Sequence, residues 1–165
     1  MNIRRTFAHL FTPPWRLGGT LSAQALQRIE AAIGANERSH RGEIRFAVEA
    51  ALDTHHLRAD LTARARAVQV FSELGMWDTE ENNGVLIYLL LADRDFEIVA
   101  DRGIHRHVGQ DGWETIARQM EAHFRSGDIE RGIVEGIEAV GTHLRAHYPR
   151  NGPDANELPD RPVVV

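Results

Sequence analysis

The residues able to do chemistry fall into a few short stretches. The first, Asp78-Thr79-Glu80-Glu81-Asn82-Asn83-Gly84, gathers oxygen ligands just ahead of an apolar run and invites a calcium-loop reading. Counting from Asp78 puts Asn83 and Leu89 where an EF-hand loop needs Gly and a bidentate Glu, so any calcium here would need ligands from several loops. The plainer expectation is a turn in which Asn82-Asn83-Gly84 tolerates positive φ at strand entry. The second stretch, Asp93-Arg94-Asp95, follows the same apolar run and offers two carboxylates, or simply a hairpin turn. The third is Asp101-Arg102-Gly103, where a strand ends and Gly103 permits a change of direction.

Asp93 and Asp101 stand at opposite ends of one hairpin, so a local turn cannot bring both to one ion. The partner set is then Glu43 or Glu49 on an alternating strand, Arg64 on a helix, and Asp101 with Arg102. The carboxylates Glu43, Glu49, Asp93 and Asp101 suit a hard cation, calcium or magnesium. The guanidinium groups of Arg64, Arg94 and Arg102 suit a phosphate or carboxylate. Glu-Arg pairing with no ligand is the competing expectation. Among the nine His, His105 and His107 are spaced to share a strand face, but no third ligand stands at a metal-site spacing and HExxH is absent. No Ser lies in G-x-S-x-G.

Composition excludes more than the motifs establish. All 19 basic residues are Arg, which removes P-loop, Schiff-base and kinase-type lysines, and no nucleotide cofactor is expected. Cys is absent, and with it thiolate nucleophiles, disulfides and Cys-ligated metals. A net charge of −5 offers no broad cationic surface for nucleic acid. The N-terminus lacks a signal-peptide h-region, and the apolar run Val85 to Ala92 is far below the roughly 20 residues of a membrane span, so a soluble, cytoplasmic protein is expected.

The elements that must position these residues follow from periodicity. Ser22 caps a first helix carrying Leu26, Ile29 and Ile33, and Glu43 onward alternates as a strand with one partly wet face. Asp60 is expected to cap a second helix with the stripe Leu61, Ala65, Val68 and Phe71. The run Gly84 to Ala92 reads as a central strand, followed by a short strand from Phe96 to Ala100. Trp113 to Phe124 and Ile129 to Leu144 form two amphipathic helices. The expected fold is α/β, one domain with a small mixed sheet, a parallel crossover plus an antiparallel hairpin, and helices on both faces. Residues 1–19 form an N-terminal arm, 20–148 the domain, and 149–165 an extended Pro-rich tail.

The segment RARAVQVFSELGMWDTEENNGVLIYLLLADRDFEIVADRGI, the Trp-bearing helix after it, GDIERGIVEGIEAVGTHL and the tail NELPD resemble the TPM domain family, in particular its short bacterial members. That family includes a thylakoid-lumen protein described as an acid phosphatase. The resemblance implies a small α/β domain with a cleft at the strand ends where some members bind calcium. Its family-like positions here are Asn83, Gly84, Asp93, Arg94 and Gly103. Leu17 to Ser22 carries no carboxylate where many exported members have an Asp, and Asp101-Arg102 replaces their Gly-Tyr. Two functions are expected on these grounds. One is an accessory or interaction domain, binding a divalent cation and acting beside a membrane protein. The other is a metal-assisted acid phosphatase built on a carboxylate and Arg cleft. Phe7, Leu10, Phe11 and Trp15 with Arg4, Arg5 and Arg16 would let the arm dock on a partner membrane protein or an anionic membrane surface. The oligomeric state is not readable from one chain.

Overall fold

The computed structural model describes residues 3–152 and 157–165; positions 153–156 of the tail, including Asn156 of the NELPD run, lie outside the described residues. Two central strands organise everything else. β1 (Ile44–Glu49) and β2 (Val85–Leu90) pair in parallel, and both are buried along their whole length. β3 (Asp95–Ala100) returns antiparallel to β2 and forms one edge of the sheet. The tail does more than extend: β4 (Val163–Val164) pairs in parallel with β1, giving the order β3-β2-β1-β4.

Alternation then sorts the side chains. Ile44, Phe46 and Val48 of β1, with Val85, Ile87 and Leu89 of β2, face a layer of three helices: α3 (Ala23–Glu37), α6 (Arg102–Arg125) and α7 (Ile129–His147). Ala47, Leu86, Tyr88 and Leu90 face α4 (Thr54–Arg58) and α5 (Ala63–Glu73) on the other side. Burying each of the large aliphatic side chains contributes about 1.5–3 kcal/mol, which is what fixes the strand register.

Several expectations need correction. The supposedly wet face of β1 is dry: Glu43, Arg45 and Glu49 are all buried, because α5 and the C-terminal segment cover that face and supply partners for its charges. α5 is capped by Thr62, whose Oγ1 accepts from Ala65 N at 3.1 Å, while Asp60 sits in the preceding turn at φ 53°. With the helix phased from Ala63, the inward residues are Ala63, Arg66, Ala67, Val70 and Phe71, and Val68 points to solvent. α6 starts at Arg102, directly after β3, well before the Trp113 stripe, and Gly109 at φ 68° breaks it into two helical segments. Ser22 caps α3 as expected, its Oγ accepting from Ala25 N.

The N-terminal residues form two further helices, α1 (Ile3–Leu10) and α2 (Trp15–Thr20). Leu17 and Leu21 plug into the α3–α6–α7 core. α1 is held differently, through polar atoms.

Candidate functional site

Ligands in open α/β sheets commonly bind beyond the carboxyl ends of the parallel strands. At that end β2 runs into the Leu91–Asp95 turn, and Asp93 is its centre. Arg5 of α1 donates to Asp93 from Nε at 3.0 and 3.1 Å and from Nη2 at 2.8 Å, and Nη2 also donates to Leu61 O at 2.7 Å. His9, four residues on and so on the same helix face, lies 2.9 Å from Asp93 Oδ1 through Nε2. Its Nδ1 accepts from Leu52 N at 2.9 Å, which leaves Nε2 to donate to the carboxylate. Burial pushes the Asp93 carboxyl up, but the hydrogen bonds from Arg5 and His9 outweigh it and hold the group below its ordinary range. The next residue, Arg94, takes φ 52°, a left-handed conformation that costs an L-residue about 1 kcal/mol.

Glu49 also lies at this end but faces α5. Its Oε2 accepts from Arg66 Nε at 2.9 Å and from the Tyr88 hydroxyl at 2.7 Å, inside the core. Glu49 is thus committed to Arg66 rather than Arg64. Arg64 instead reaches the sheet edge, with Nη1 2.6 Å from Ile98 O and 3.4 Å from Glu97. That contact occupies part of the open edge of β3.

The remaining sequence-derived candidates stand at the opposite end of the sheet. Glu43 precedes β1 and Glu49 closes it, a separation of about 20 Å at roughly 3.3 Å per residue. No single ion can therefore take Glu43, Glu49, Asp93 and Asp101 together. Glu43 accepts from the backbone N–H groups of Glu157 and Leu158, clamping the tail onto the domain. Desolvation pushes its carboxyl up to about 7, and pushes neighbouring Glu37 up to about 9. Between them the buried Arg45 guanidinium feels Glu37, Glu43 and Asp160 without its Nε reaching a partner.

Asp101 caps α6, Oδ1 accepting from Arg102 N, while Oδ2 is buried with no hydrogen-bond partner among the described residues. Asn83, buried at the same end, donates from Nδ2 to Arg41 O, and its Oδ1 is likewise unpartnered. Asn82 does take positive φ, at 53°. Gly103 serves a close approach rather than a change of direction: a Cβ there would stand 2.4 Å from Glu81 O and 2.5 Å from Asn82 O. The Arg102 side chain is exposed on the first turn of α6.

His105 and His107 lie on α6, not on a strand. His105 Nδ1 accepts from Trp113 Nε1, and His107 stacks on His147 at 4.4 Å. Among the described residues, one group of three could offer converging ligand atoms, Asp53, His55 and His56 around the start of α4. Asp53 is already the helix cap there, accepting from His56 N at 2.8 Å. His9, Arg66 and Tyr88 were missed in the sequence, and Arg5, expected among the docking arginines of the arm, is instead the partner of Asp93. Arg5 and His9 had a usable signal, two donors four apart on a helical arm whose other face is apolar.

Large apolar side chains cluster on the outside of the same arm. Of the nine exposed ones among the described residues, five, Ile3, Phe7, Leu10, Phe11 and Trp15, fall in α1, α2 and the turn between them, each more than half exposed. Phe7 and Phe11 stack with centroids 6.0 Å apart. No acidic residue occurs before Glu30, whereas Arg4, Arg5, Arg16 and Arg28 do. No helix among the described residues is long and apolar enough to cross a membrane.

A family model described as the TPM domain matches residues 17–143. Among solved structures the chain is similar to the BA42 protein of the psychrophilic bacterium Bizionia argentinensis, at 33% identity and TM-score 0.78, covering 88% of this chain and 95% of that one. It shares the fold of the N-terminal domain of a P. gingivalis protein, at 23% identity and TM-score 0.62, covering 82% and 85% of the two chains. No curated protein matches.

Proposed function

The chain belongs to the TPM domain family, and from that premise we propose that it is an interaction domain that docks on an anionic membrane surface through α1 and α2. The observation that carries the reading is the orientation of α1: its polar face is spent on Asp93, and its apolar face, Ile3, Phe7 and Leu10, is turned outward. The family match begins at Leu17, so this face and Trp15 precede the shared domain. An exposed helix face of Phe, Leu and Trp with arginines beside it has the make-up of an interfacial anchor, and each Arg close to an anionic surface adds about 1 kcal/mol.

The test is co-flotation with vesicles of phosphatidylglycerol and phosphatidylcholine. The wild type floats, less so as salt rises or phosphatidylglycerol is withdrawn, and a Phe7→Ser/Phe11→Ser variant with an unchanged melt stays in solution. A wild type that does not float with anionic vesicles would remove the membrane and leave the apolar face for a protein partner.

Calcium or magnesium is the second reading, favoured by the two buried, unpartnered oxygens Asn83 Oδ1 and Asp101 Oδ2. These residues would hold a hard cation, which would lower the pKa of a bound water as a phosphatase requires. Calorimetric titration after chelation decides it. An ion present at about 100 times its dissociation constant adds roughly 2.7 kcal/mol to stability. Absence of heat and of any change in melting temperature, or binding unaltered in Asp101→Asn, would dispose of this site and of the phosphatase alternative with it.

A further inference from the structure

A cleft of about 990 Å³ opens beside the Asp93 turn, between α2, the β2–β3 turn and the junction of α6 with α7. Its volume is that of a small-molecule site. The floor is apolar: Leu89, Leu91, Phe96 and Phe124 line it, the two phenylalanines meeting edge to face at 4.9 Å. The rim carries three guanidinium groups, and these differ in their commitments. Arg125 is paired with Glu121 at 2.6 Å. Arg16 and Arg94 line the cleft and, among the described residues, form no ion pair.

Two features argue that this is a built arrangement. Arg94 sits in the left-handed region, where Gly or Asn would be at ease, in a tight turn closed by its own N–H on Leu91 O, beside an Asp93 tied back to Arg5 and His9. The lining is net positive: Arg16, Arg94 and Arg125 stand against Asp95 and Glu121, and Glu121 is paired with Arg125. The result is an apolar trough with two guanidinium groups outside any ion pair among the described residues at its lip, the fork geometry that recognises carboxylate and phosphate.

We propose that this cleft binds a single-chain anionic amphiphile, its hydrocarbon lying on Leu89, Leu91, Phe96 and Phe124 and its carboxylate or phosphate head held by Arg16 and Arg94. The assignment goes beyond membrane docking: the cleft shares Trp15 and Arg16 of α2 with the docking surface, but the outward face of α1, Ile3, Phe7 and Leu10, is not part of its lining.

The test uses the full chain with dodecanoate and dodecyl phosphate below their micelle concentrations, read by calorimetry and by amide shifts in nuclear magnetic resonance. Saturable one-to-one binding is expected, with shifts at Leu89, Leu91, Phe96 and Phe124. An Arg16→Gln/Arg94→Gln variant, both positions being exposed, should keep its melting temperature and bind at least about tenfold more weakly, as should the neutral dodecanol with the wild type. Inorganic phosphate should bind far more weakly than dodecyl phosphate. Dodecanol binding as tightly as dodecanoate would overturn the role of the arginines, and phosphate binding as tightly as its dodecyl ester would overturn the role of the trough. Shifts confined to α1, or loss of dodecanoate binding in Phe7→Ser/Phe11→Ser, would overturn the location. Retention of dodecanoate by that variant, whether or not it still floats with vesicles, separates this site from the docking face.

Discussion

α1 and α7 are both amphipathic, and they are inserted into the molecule with opposite faces inward. α7 buries Ile133, Ile137, Val140 and Leu144 completely against α3 and the sheet. α1 buries His9, half-buries Arg5, and leaves Ile3, Phe7 and Leu10 outside. A hydrophobic pattern thus tells which residues share a face; it does not tell which face is covered. The surface met by each helix decides that. α7 meets a sheet face of Ile, Val, Phe and Leu, where burial of apolar area is the main gain, with polar contacts from Glu130, Glu138 and Arg145 to α3 outside that stripe. α1 meets the ends of strands, where a carboxylate and the carbonyl of Leu61 need donors, and leaving those groups unpaired would cost about 1–3 kcal/mol each.

The largest effect that bears on this contrast is a cavity in α7. Ile137→Ala should cost about 2–5 kcal/mol in urea denaturation, because the side chain is wholly buried and its surroundings can collapse only in part. If instead it costs no more than substitutions in α1, the two helices are equivalent and the contrast fails.

The same contrast explains what could be read from the sequence. The α7 stripe, the buried run of β2, the parallel crossover and the Ser22 cap are local patterns whose period or chemistry has one common outcome, and they were legible. The face of β1 was not. Glu43, Arg45 and Glu49 alternate with apolar residues as on a wet strand, and only distant residues, Arg66 and Tyr88 for Glu49 and the amides of 157–158 for Glu43, make their burial affordable. The phase of α5 was lost for the related reason that an Arg occupies its inward face. In the candidate site, Asp93 and Arg94 could be picked out, but the groups that answer Asp93 lie 84 and 88 residues away on an arm that reads as a tail.

Asp93→Asn comes next in size. The pair it breaks is part-buried, between the exposed pairs worth under about 1 kcal/mol and the buried ones worth about 3–5, so a loss of about 1–2 kcal/mol is expected, confined to α1. Hydrogen exchange would read it as faster α1 amides against unchanged α7 amides. The pH dependence carries a sign. With the folded carboxyl held below its ordinary value, the attachment is fully present above that value and is lost as pH falls through the depressed one. The tail should behave oppositely: Glu43 at about 7 and Glu37 at about 9 are raised by burial, so its attachment is strongest in acid and weakens as pH rises through those values. Protection of α1 and of residues 157–165 should therefore move in opposite directions with pH, with Glu37→Gln flattening the second. Parallel movement would mean that the charges named here do not hold the two ends.

The smallest effect is the most discriminating. Phe7→Ser removes a large aromatic side chain from an amphipathic helix, the change that in α7 would be ruinous. Here the ring is 55% exposed and its ring neighbour is the equally outward Phe11. Little apolar area returns to water on unfolding that was not already there, so the change in stability should stay within about 0.5 kcal/mol. The measurement is a urea midpoint compared between the two proteins at neutral pH, where Asp93 still holds α1 in place. A loss above about 2 kcal/mol would mean that Phe7 is packed against something in the free protein, a second copy of the chain being the first suspect, and dilution would then lower the wild-type midpoint as well. A loss within the expected range shows that this aromatic face is carried at no benefit to folding, which leaves recognition of a surface outside the chain as the reason for keeping it exposed.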